Sequence, residues 1–588
     1  MNFIQRVVRS TSLRWVGYAA ALITAACGLW LRAANLGRSL WLDEAWVANS
    51  VLATTLGDMF YYERWVQTTP PLFLLLTRYW VRWGGLSNEA LRAIPVVSSV
   101  LAGLIMFLLA RRLMSRWTAL LAWTLLFLSP TAITWARYLK QYSTELLVTA
   151  LLLWLCVRYL EQPAVRRFAL LAGAALVGLL ASYPTALLLP GIALALAGRS
   201  LVRAAQLAVG GSAVAAAVHF LFVRPNQSRD LEAFFFPRDD ARGLMERVAN
   251  NALLYLAHLP VPSRVLLAEW VTGLAAVAFI GVGFLLAVRR FRRGRRLWLE
   301  AYVICLSPCA VMLVCDALGL YPVTQRTTLF ATPALVLVFA MSLDLLHGPL
   351  RLRLGGGWHR PLSRFGVIGL IAVACLSALG RLPADEIRLP NEEVAAAVEF
   401  LQRHVGPKDV VWVHASSSES FRLYQRMLGW QDAPARFGQT GWPCCPRGVE
   451  SQRGMGSPEK VRADVDAQLP AGIAQTVWIL NTTRAAHWRF VGVDEAAEFG
   501  AVLRQRGCRE QPGPRFHNIA VGRFHCAGIA APTSARDERH RLSRGKAVEI
   551  GVQTGYSQVD PILGEDRVAD RAHRALAIGI KRRRVAKP

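Results

Sequence analysis

Charged residues are scarce in this sequence: Asp, Glu, Lys and Arg make up 18% of its 588 residues, whereas an ordinary soluble protein has about a quarter. This shortage argues against a soluble globular enzyme. Acidic residues are the rarer kind, with 39 Asp and Glu against 67 Lys and Arg, for a net charge of +28. In a soluble protein such an excess would suggest nucleic-acid binding. The distribution of the basic residues therefore decides whether the net charge indicates a binding surface or the topology of a membrane protein.

Cysteine pairs with metal-binding spacing are also absent. The ten cysteines include no Cys-x-x-Cys pair and no His–Cys spacing of the zinc type, which argues against a structural zinc site. Six cysteines fall in apolar segments, where a free thiol behaves as a small apolar group. The other four predict disulfides in an oxidising compartment, with three pairings open; these are Cys444, Cys445, Cys508 and Cys526.

Long apolar runs account for the shortage of charge. A helix needs roughly 17–25 residues to cross about 30 Å of hydrocarbon. Eleven segments are of about this kind: 15–33, 91–111, 117–136, 143–160, 167–183, 184–199, 204–223, 264–288, 297–319, 328–346 and 364–382. The stretch 70–83 has only 14 residues and begins with two prolines, which predicts an interfacial or re-entrant helix. No clear cleavage site follows the first segment, so we expect an uncleaved span.

Arginines cluster at alternate ends of these segments. With the N-terminus in the cytoplasm, every short basic cluster falls on the cytoplasmic face, as the positive-inside rule requires; the largest lies at 289–296. Much of the charge therefore signals topology, and nucleic-acid binding is disfavoured. Residues 34–90, 224–263 and those past about 383 are then extracytoplasmic, at the inner membrane of a bacterial-type cell.

A different pattern follows the last apolar segment. Residues 391–404 have helical periodicity, and strands alternating with helices are predicted at 410–415, 417–428, 476–480, 495–507 and 518–524. We therefore predict a polytopic α-helical membrane module (1–383) that includes the exterior loop 34–90. An exterior α/β domain (384–530) follows it, and then a disordered basic tail (531–588).

Two adjacent carboxylates, Asp43 and Glu44, follow the first apolar segment. Their spacing alone favours an ordinary helix N-terminus, with Asp as the cap and an acid in the first turn. Ionisable residues beside a membrane are also candidates for function. An Asp in apolar surroundings can act as a general base or bind a hard cation.

Several motifs resemble those of the GT-C membrane glycosyltransferases. The nearest group is glycosyltransferase family 39, which includes protein mannosyltransferases and aminoarabinose transferases. The resemblance is carried by LWLDEAW (40–46), Pro70-Pro71 and Arg92-x-x-Pro95, which match an Asp-Glu after the first span, a short helix and the entrance to the second span. WARYLKQYSTELL (135–147) and YPVTQRTTLFATPALVL (321–337) are similar to later arginine-containing loops. The resemblance extends over roughly residues 1–525.

This resemblance implies a transferase that moves a sugar from a polyprenyl-phosphate carrier to a protein, lipid or glycan acceptor at the extracytoplasmic face. Asp43 would be the base and Glu44 its neighbour. Cations would stabilise the phosphate leaving group. The implied donor- and phosphate-binding residues are Arg137, Lys140, Tyr142 and Arg326.

The second loop departs from the family pattern. Many relatives have Arg-Glu where this chain has Arg137-Tyr138, so a metal site shared between the first and second loops would lack one expected carboxylate. A divalent metal ion is kept as an alternative cofactor. Glu145 lies close by but within the predicted span. Arg137 and Lys140 also have a simpler interpretation, as interfacial side chains that extend from the end of a span.

Two other functions are compatible with the sequence. A polyprenyl-lipid or sugar transporter would account for many spans, but not for an exterior α/β domain, and no inverted repeats with broken helices are evident. A membrane assembly protein would tolerate replacement of Asp43, Lys140 and Arg326.

Overall fold

The computed structural model describes residues 3–62, 68–226, 266–324, 326–353, 369, 392–437, 458–469, 476–482 and 495–526. Contacts divide the chain into two units, residues 1–530 and 531–588. The predicted disordered tail lies outside the described residues. The same holds for Cys444, Cys445, most of the loop 224–263 and the last predicted span except residue 369.

Fourteen helices make up the described part of the region before residue 354. They are α1 (Phe3–Ala33), α2 (Leu42–Val51), α3 (Leu56–Phe60), α4 (Pro71–Gly84), α5 (Asn88–Leu113), α6 (Arg116–Phe127), α7 (Pro130–Ala136), α8 (Tyr142–Glu161), α9 (Val165–Ala181), α10 (Thr185–Ala197), α11 (Leu201–Val218), α12 (Leu266–Arg292), α13 (Arg296–Ala317) and α14 (Thr332–Arg353). Helix α11 is extended by a π-helix (His219–Val223) and a 3-10 turn (Arg224–Asn226). Another 3-10 turn (Leu329–Ala331) precedes α14.

Six described helices are long and apolar enough to span a membrane: Trp15–Ala33, Asn88–Leu113, Tyr142–Glu161, Leu201–Asn226, Arg296–Ala317 and Leu329–Leu346. A seventh span is possible if α6 and α7, which are bent by 49° at their junction, count as one. Pro130 begins α7, and a proline cannot continue the hydrogen-bond pattern of a preceding helix. The chain is thus a multi-pass helical membrane protein, and the count of eleven spans stays a prediction.

The short helix predicted at 70–83 is present as α4. Pro71 occupies its first position, where its missing N–H costs nothing, and Gly85 follows with φ 86°. Arg78 is buried on one face and donates hydrogen bonds to the carbonyls of Val51 (2.9 Å), Ala53 (2.6 Å) and Thr54 (2.9 Å). Because these carbonyls lie at the end of α2 and just past it, α4 fixes the C-terminal end of α2.

The region after residue 391 forms a mixed sheet with helices. Its elements are α15 (Val394–His404), β1 (Val410–Val413), α16 (Ala415–Met427), β2 (Ala435–Phe437), α17 (Pro458–Gln468), β3 (Thr476–Thr482), α18 (Glu495–Gln505), β4 (Arg509–Gln511), β5 (Arg515–Phe516) and β6 (Ile519–His525). The strand order is β2-β1-β3-β6-β4, and β5 pairs with β6. Strands β2, β1 and β3 are parallel, whereas β6 is antiparallel to β3 and β4.

One disulfide joins Cys508 to Cys526. The register of the sheet explains the pairing, because Arg509 faces His525 across β4 and β6. The residues just outside that pair therefore face each other at the sheet edge, where opposed Cβ atoms come close. This settles one of the pairings that the sequence left open.

The sheet region packs on the first loop through α16. The Leu40 N–H donates to the Tyr424 hydroxyl (2.6 Å), and the Asn49 amide donates to the Glu419 carbonyl and Oε2 (2.8 and 2.9 Å). Apolar residues of α2, α15 and α16 share one core with β1 and β3. Contacts with the α/β region therefore fix the position of the segment that carries Asp43.

Candidate active site

The two carboxylates of the first loop point in different directions. Helix α2 begins at Leu42, with Trp41 at the N-cap position and no side-chain cap. Asp43 and Glu44 occupy the first turn, where the helix dipole favours negative charge. Successive helical residues are about 100° apart. The two side chains therefore have different surroundings. Glu44 is fully buried, whereas the Asp43 side chain is 22% exposed.

Glu44 forms a buried ion pair with Arg92 of α5. Arg92 Nη2 lies 2.7 Å from Glu44 Oε2, and Nε donates to Oε1 (2.8 Å). Oε1 also accepts the Leu139 N–H (2.7 Å). Arg92 donates further to carbonyls of the turn before α2, those of Leu36, Arg38 and Ser39. The Glu44 carboxylate of α2 is thus hydrogen-bonded both to α5 and to the loop between α7 and α8.

Lys140 and Arg326 both approach Asp43. Lys140 Nζ lies 3.8 Å from Asp43 Oδ2, and Arg326 Nη1 lies 3.6 Å from the same oxygen. The three residues come from α2, from the loop before α8 and from the loop before α14. Their side chains are 22%, 11% and 28% exposed, respectively. A carboxylate between two cations, all partly accessible, forms the candidate site.

The surroundings of Lys140 shift its protonation. Burial lowers the pKa of the Lys140 ammonium and the nearby Arg326 lowers it further, while Asp43 opposes both. Its Nζ also lies 5.2 Å from the centre of the Trp46 ring, a contact that favours the charged form. Asp43 and Trp46 therefore help to maintain a cation in a place poorly supplied with water.

Arg137 and Tyr142 lie on either side of Lys140 along the chain. Tyr142 is buried at the start of α8, packs against Trp135 with ring centres 4.8 Å apart, and interacts electrostatically with Arg326 and Asp43. Arg137 is also buried, and its carbonyl accepts a hydrogen bond from Arg38 Nη2 (3.0 Å). Asp43, Lys140, Tyr142 and Arg326 of the predicted set therefore lie together.

Arg92 has a role that the sequence did not reveal. In the sequence, Arg92-x-x-Pro95 is only a shared motif, and nothing there assigns Arg92 a partner. An arginine inside an apolar run needs a counter-charge, and this signal pointed to an acidic partner without identifying it. Glu44 is 48 residues away in sequence, so only the fold pairs the two.

The carboxylates of the first loop do not fit a divalent metal ion. Both Glu44 oxygens are bonded to Arg92 or to the Leu139 N–H. Asp43 faces two cations, which repel a third. Across the described ranges, no group of three His, Cys, Asp or Glu side chains is placed to hold a metal. The acidic loop residues Asp230, Glu232, Asp239 and Asp240 lie outside those ranges.

The fold and the site together define a class: multi-pass helical membrane proteins with a charged, partly open site on the loops that join their helices. Comparison with known proteins narrows it. Residues 68–227 match the family model described as dolichyl-phosphate-mannose-protein mannosyltransferase. A search of the curated proteins found no match.

Two solved structures of ArnT from Cupriavidus metallidurans resemble the chain, each at 16% identity. The apo form aligns with a TM-score of 0.51 over 88% of this chain and 98% of that one. The form bound to undecaprenyl phosphate aligns with a TM-score of 0.50, over 89% and 100%. At this identity the likeness concerns the fold. The predicted resemblance to GT-C membrane glycosyltransferases is confirmed.

Proposed function

We propose that the protein is a glycosyltransferase that moves a sugar from a polyprenyl-phosphate donor to an acceptor hydroxyl. The convergence of Lys140 and Arg326 on Asp43, from three separate segments, carries the proposal. The donor class is supported by the mannosyltransferase family model and by the undecaprenyl phosphate bound to a protein of similar fold.

The two cations suit the leaving group. When the bond between the anomeric carbon and the phosphate oxygen breaks, negative charge develops on the lipid phosphate. Cations already in place stabilise that charge without reorganising. The Arg326 guanidinium matches phosphate oxygens in two-point contacts, and the Lys140 ammonium acts as a compact charge. Both lie near Asp43, so a phosphate held by them would sit beside the carboxylate.

Asp43 is placed to take the proton of the acceptor. In a single displacement, the acceptor oxygen attacks the anomeric carbon as the phosphate leaves, and its proton passes to a nearby base. The configuration at the anomeric carbon is then inverted. Asp43 is partly exposed and free to face an acceptor, whereas Glu44 is enclosed. We therefore assign Glu44 to positioning, and Arg137 and Tyr142 to the walls of the donor site. The proposal involves no metal ion.

We place this site at the extracytoplasmic face of a bacterial-type inner membrane. The charge distribution supports a cytoplasmic N-terminus and eleven spans. A topology with Asp43 outside gives it access to acceptors that have already crossed the membrane.

The test is sugar transfer by Asp43→Asn. Purified protein in liposomes is mixed with undecaprenyl-phosphate-linked mannose and with membranes from a strain that lacks the gene, as the source of acceptor. We expect transfer to fall by about 10²-fold or more. Asp58→Asn is the matched control, because Asp58 lies on the same loop but its carboxylate accepts a hydrogen bond from the Thr54 hydroxyl (3.2 Å) and should not matter for transfer.

Two outcomes would contradict the proposal in different ways. A folded Asp43→Asn variant with full activity would remove Asp43 as the base. Wild-type protein that carries labelled lipid across the vesicle membrane, but transfers no sugar from any of a panel of sugar-linked lipids, would favour a transporter.

A further inference from the structure

A buried carboxyl group lies beside the Asp43 cluster without a counter-charge. Glu145, in the first turn of α8, is 3% exposed, and its Oε2 has no hydrogen-bond partner. Among the described residues no basic side chain forms an ion pair with it. A buried carboxyl oxygen without a partner is costly. An acid in an apolar helix bundle therefore indicates a function.

Thr149 lies one turn further along the same face of α8 and shows the same lack of partners. Its Oγ1 is buried and unbonded. Hydroxyl groups inside helices usually bond back to a carbonyl of the preceding turn, as Thr77 does to Phe73 and Ser342 to Val338 (both 2.9 Å). Glu145 Oε2 and Thr149 Oγ1, which lie on one face of α8, are thus both buried without a hydrogen-bond partner among the described residues.

Three tyrosine hydroxyls lie within electrostatic range of the Glu145 carboxyl. Tyr142, Tyr183 and Tyr321 all interact with it electrostatically. Tyr142 also interacts electrostatically with Asp43 and Arg326, and in the chain it lies between Lys140 and Glu145. The Tyr321 hydroxyl donates to the Thr327 carbonyl (2.8 Å), next to Arg326. The turn of α8 that carries Glu145 thus directly follows the loop that carries Lys140.

An occupant of this place must meet several conditions. It must supply hydrogen-bond donors to Glu145 and Thr149, which are separated by about 6 Å along the helix. It must also be small enough to lie among tyrosine rings and be linked to an anion held by Lys140 and Arg326. The hydroxyl groups of a pyranose attached to a lipid phosphate meet all of these conditions.

We propose that Glu145 and Thr149 form the subsite for the donor sugar and accept hydrogen bonds from the hydroxyl groups of a neutral hexose. The inference rests on the proposed function and deepens it, because it assigns sugar recognition to a face of α8 separate from the phosphate-binding cations. Tyr142 is then part of the wall of this subsite.

The experiment compares two lipid probes, undecaprenyl phosphate and undecaprenyl-phosphate-linked mannose. Affinities are measured for wild type, Glu145→Ala, Glu145→Gln and Thr149→Val in detergent. Glu145→Ala should weaken binding of the mannosyl lipid by about tenfold or more and leave binding of the free lipid unchanged. Glu145→Gln keeps an acceptor oxygen and should stay within about threefold of wild type.

Thr149→Val should weaken only the mannosyl lipid, by a smaller factor than Glu145→Ala. Glu161→Gln is the matched control, because Glu161 lies at the other end of α8 and pairs with Arg112 at the surface. It should change neither affinity.

The outcomes separate the sugar subsite from the proposed function. Equal losses for both lipids in Glu145→Ala, or no loss for either, would overturn the sugar subsite. Loss in Glu145→Gln as large as in Glu145→Ala would overturn the neutral hexose, since only a cationic sugar needs the full charge. Wild type that binds both lipids equally would also refute the subsite, whereas wild type that binds neither would refute the proposed function itself.

Discussion

Replacing Glu44 by glutamine tests whether this carboxylate positions the site or takes part in the reaction. The substitution keeps the shape of the side chain but leaves the Arg92 guanidinium without a counter-charge. Both side chains are 0% exposed, so water cannot take the place of the lost carboxylate. Only one of the two polar atoms of the glutamine amide can accept a hydrogen bond. Its NH₂ group must therefore face either the Arg92 guanidinium or the Leu139 N–H, which are both donors.

The magnitude follows from the burial of the pair. Removing one partner of a fully buried ion pair costs about 3–5 kcal/mol. The pair between Arg112 and Glu161 is the internal comparison, because its side chains are 39% and 23% exposed. A surface pair contributes about 0–1 kcal/mol. Glu44→Gln should therefore destabilise the protein several times more than Glu161→Gln.

The assay is thermal unfolding in detergent, followed by sugar transfer at a temperature where the variant is folded. We expect a lower apparent Tm for Glu44→Gln and a raised KM for the donor, because the Leu139 N–H no longer fixes the loop that carries Lys140. An unchanged Tm together with a large loss of kcat would refute the reasoning, because it would mean that Glu44 takes part in the reaction and does not position the site.

Two further predictions concern the cation site and the contact with the α/β region. Because burial lowers the pKa of Lys140, its charge is lost on raising the pH sooner than that of an ordinary lysine, and transfer should decline correspondingly early. Lys140→Arg should move this decline to higher pH, and an unchanged pH profile would contradict the role of Lys140. Tyr424→Phe removes the acceptor of the Leu40 N–H and should cost about 1 kcal/mol. Tyr79→Phe, exposed on α4, should cost nothing measurable, and equal Tm values for the two variants would argue against this contact.

Much of the architecture was predictable because hydropathy and proline positions act locally. The short helix α4, the strands β1, β3 and β6 and most of the long helices lie where the sequence predicts them. The span count was harder to predict. Pro130 divides one predicted segment into α6 and α7, and the predicted segments 167–183 and 184–199 correspond to the helices α9 and α10 of 17 and 13 residues. Hydropathy alone does not tell a broken or short helix from a full span.

The site was only partly predictable. Asp43 stood out because an acid beside a membrane needs a reason, and Lys140 and Arg326 because they lie on the side that the positive-inside rule disfavours. Their approach to one carboxylate oxygen could not be read from the chain. The different burial of Asp43 and Glu44 was equally hidden, since adjacent residues of the same chemistry give no signal of which way each one faces.

The sequence by itself determined that this is a membrane protein with a GT-C-like order of motifs, because apolar length, basic clusters and short motifs are properties of neighbouring residues. The tertiary structure decided which charges meet. It enclosed Glu44 with Arg92, opened Asp43 toward two cations and paired Cys508 with Cys526 through the register of the sheet. Among the described residues it also left Glu145 Oε2 without a hydrogen-bond partner. Each of these depends on contacts between residues distant in the chain or on the direction in which a helix turns a side chain, and neither is encoded in local pattern.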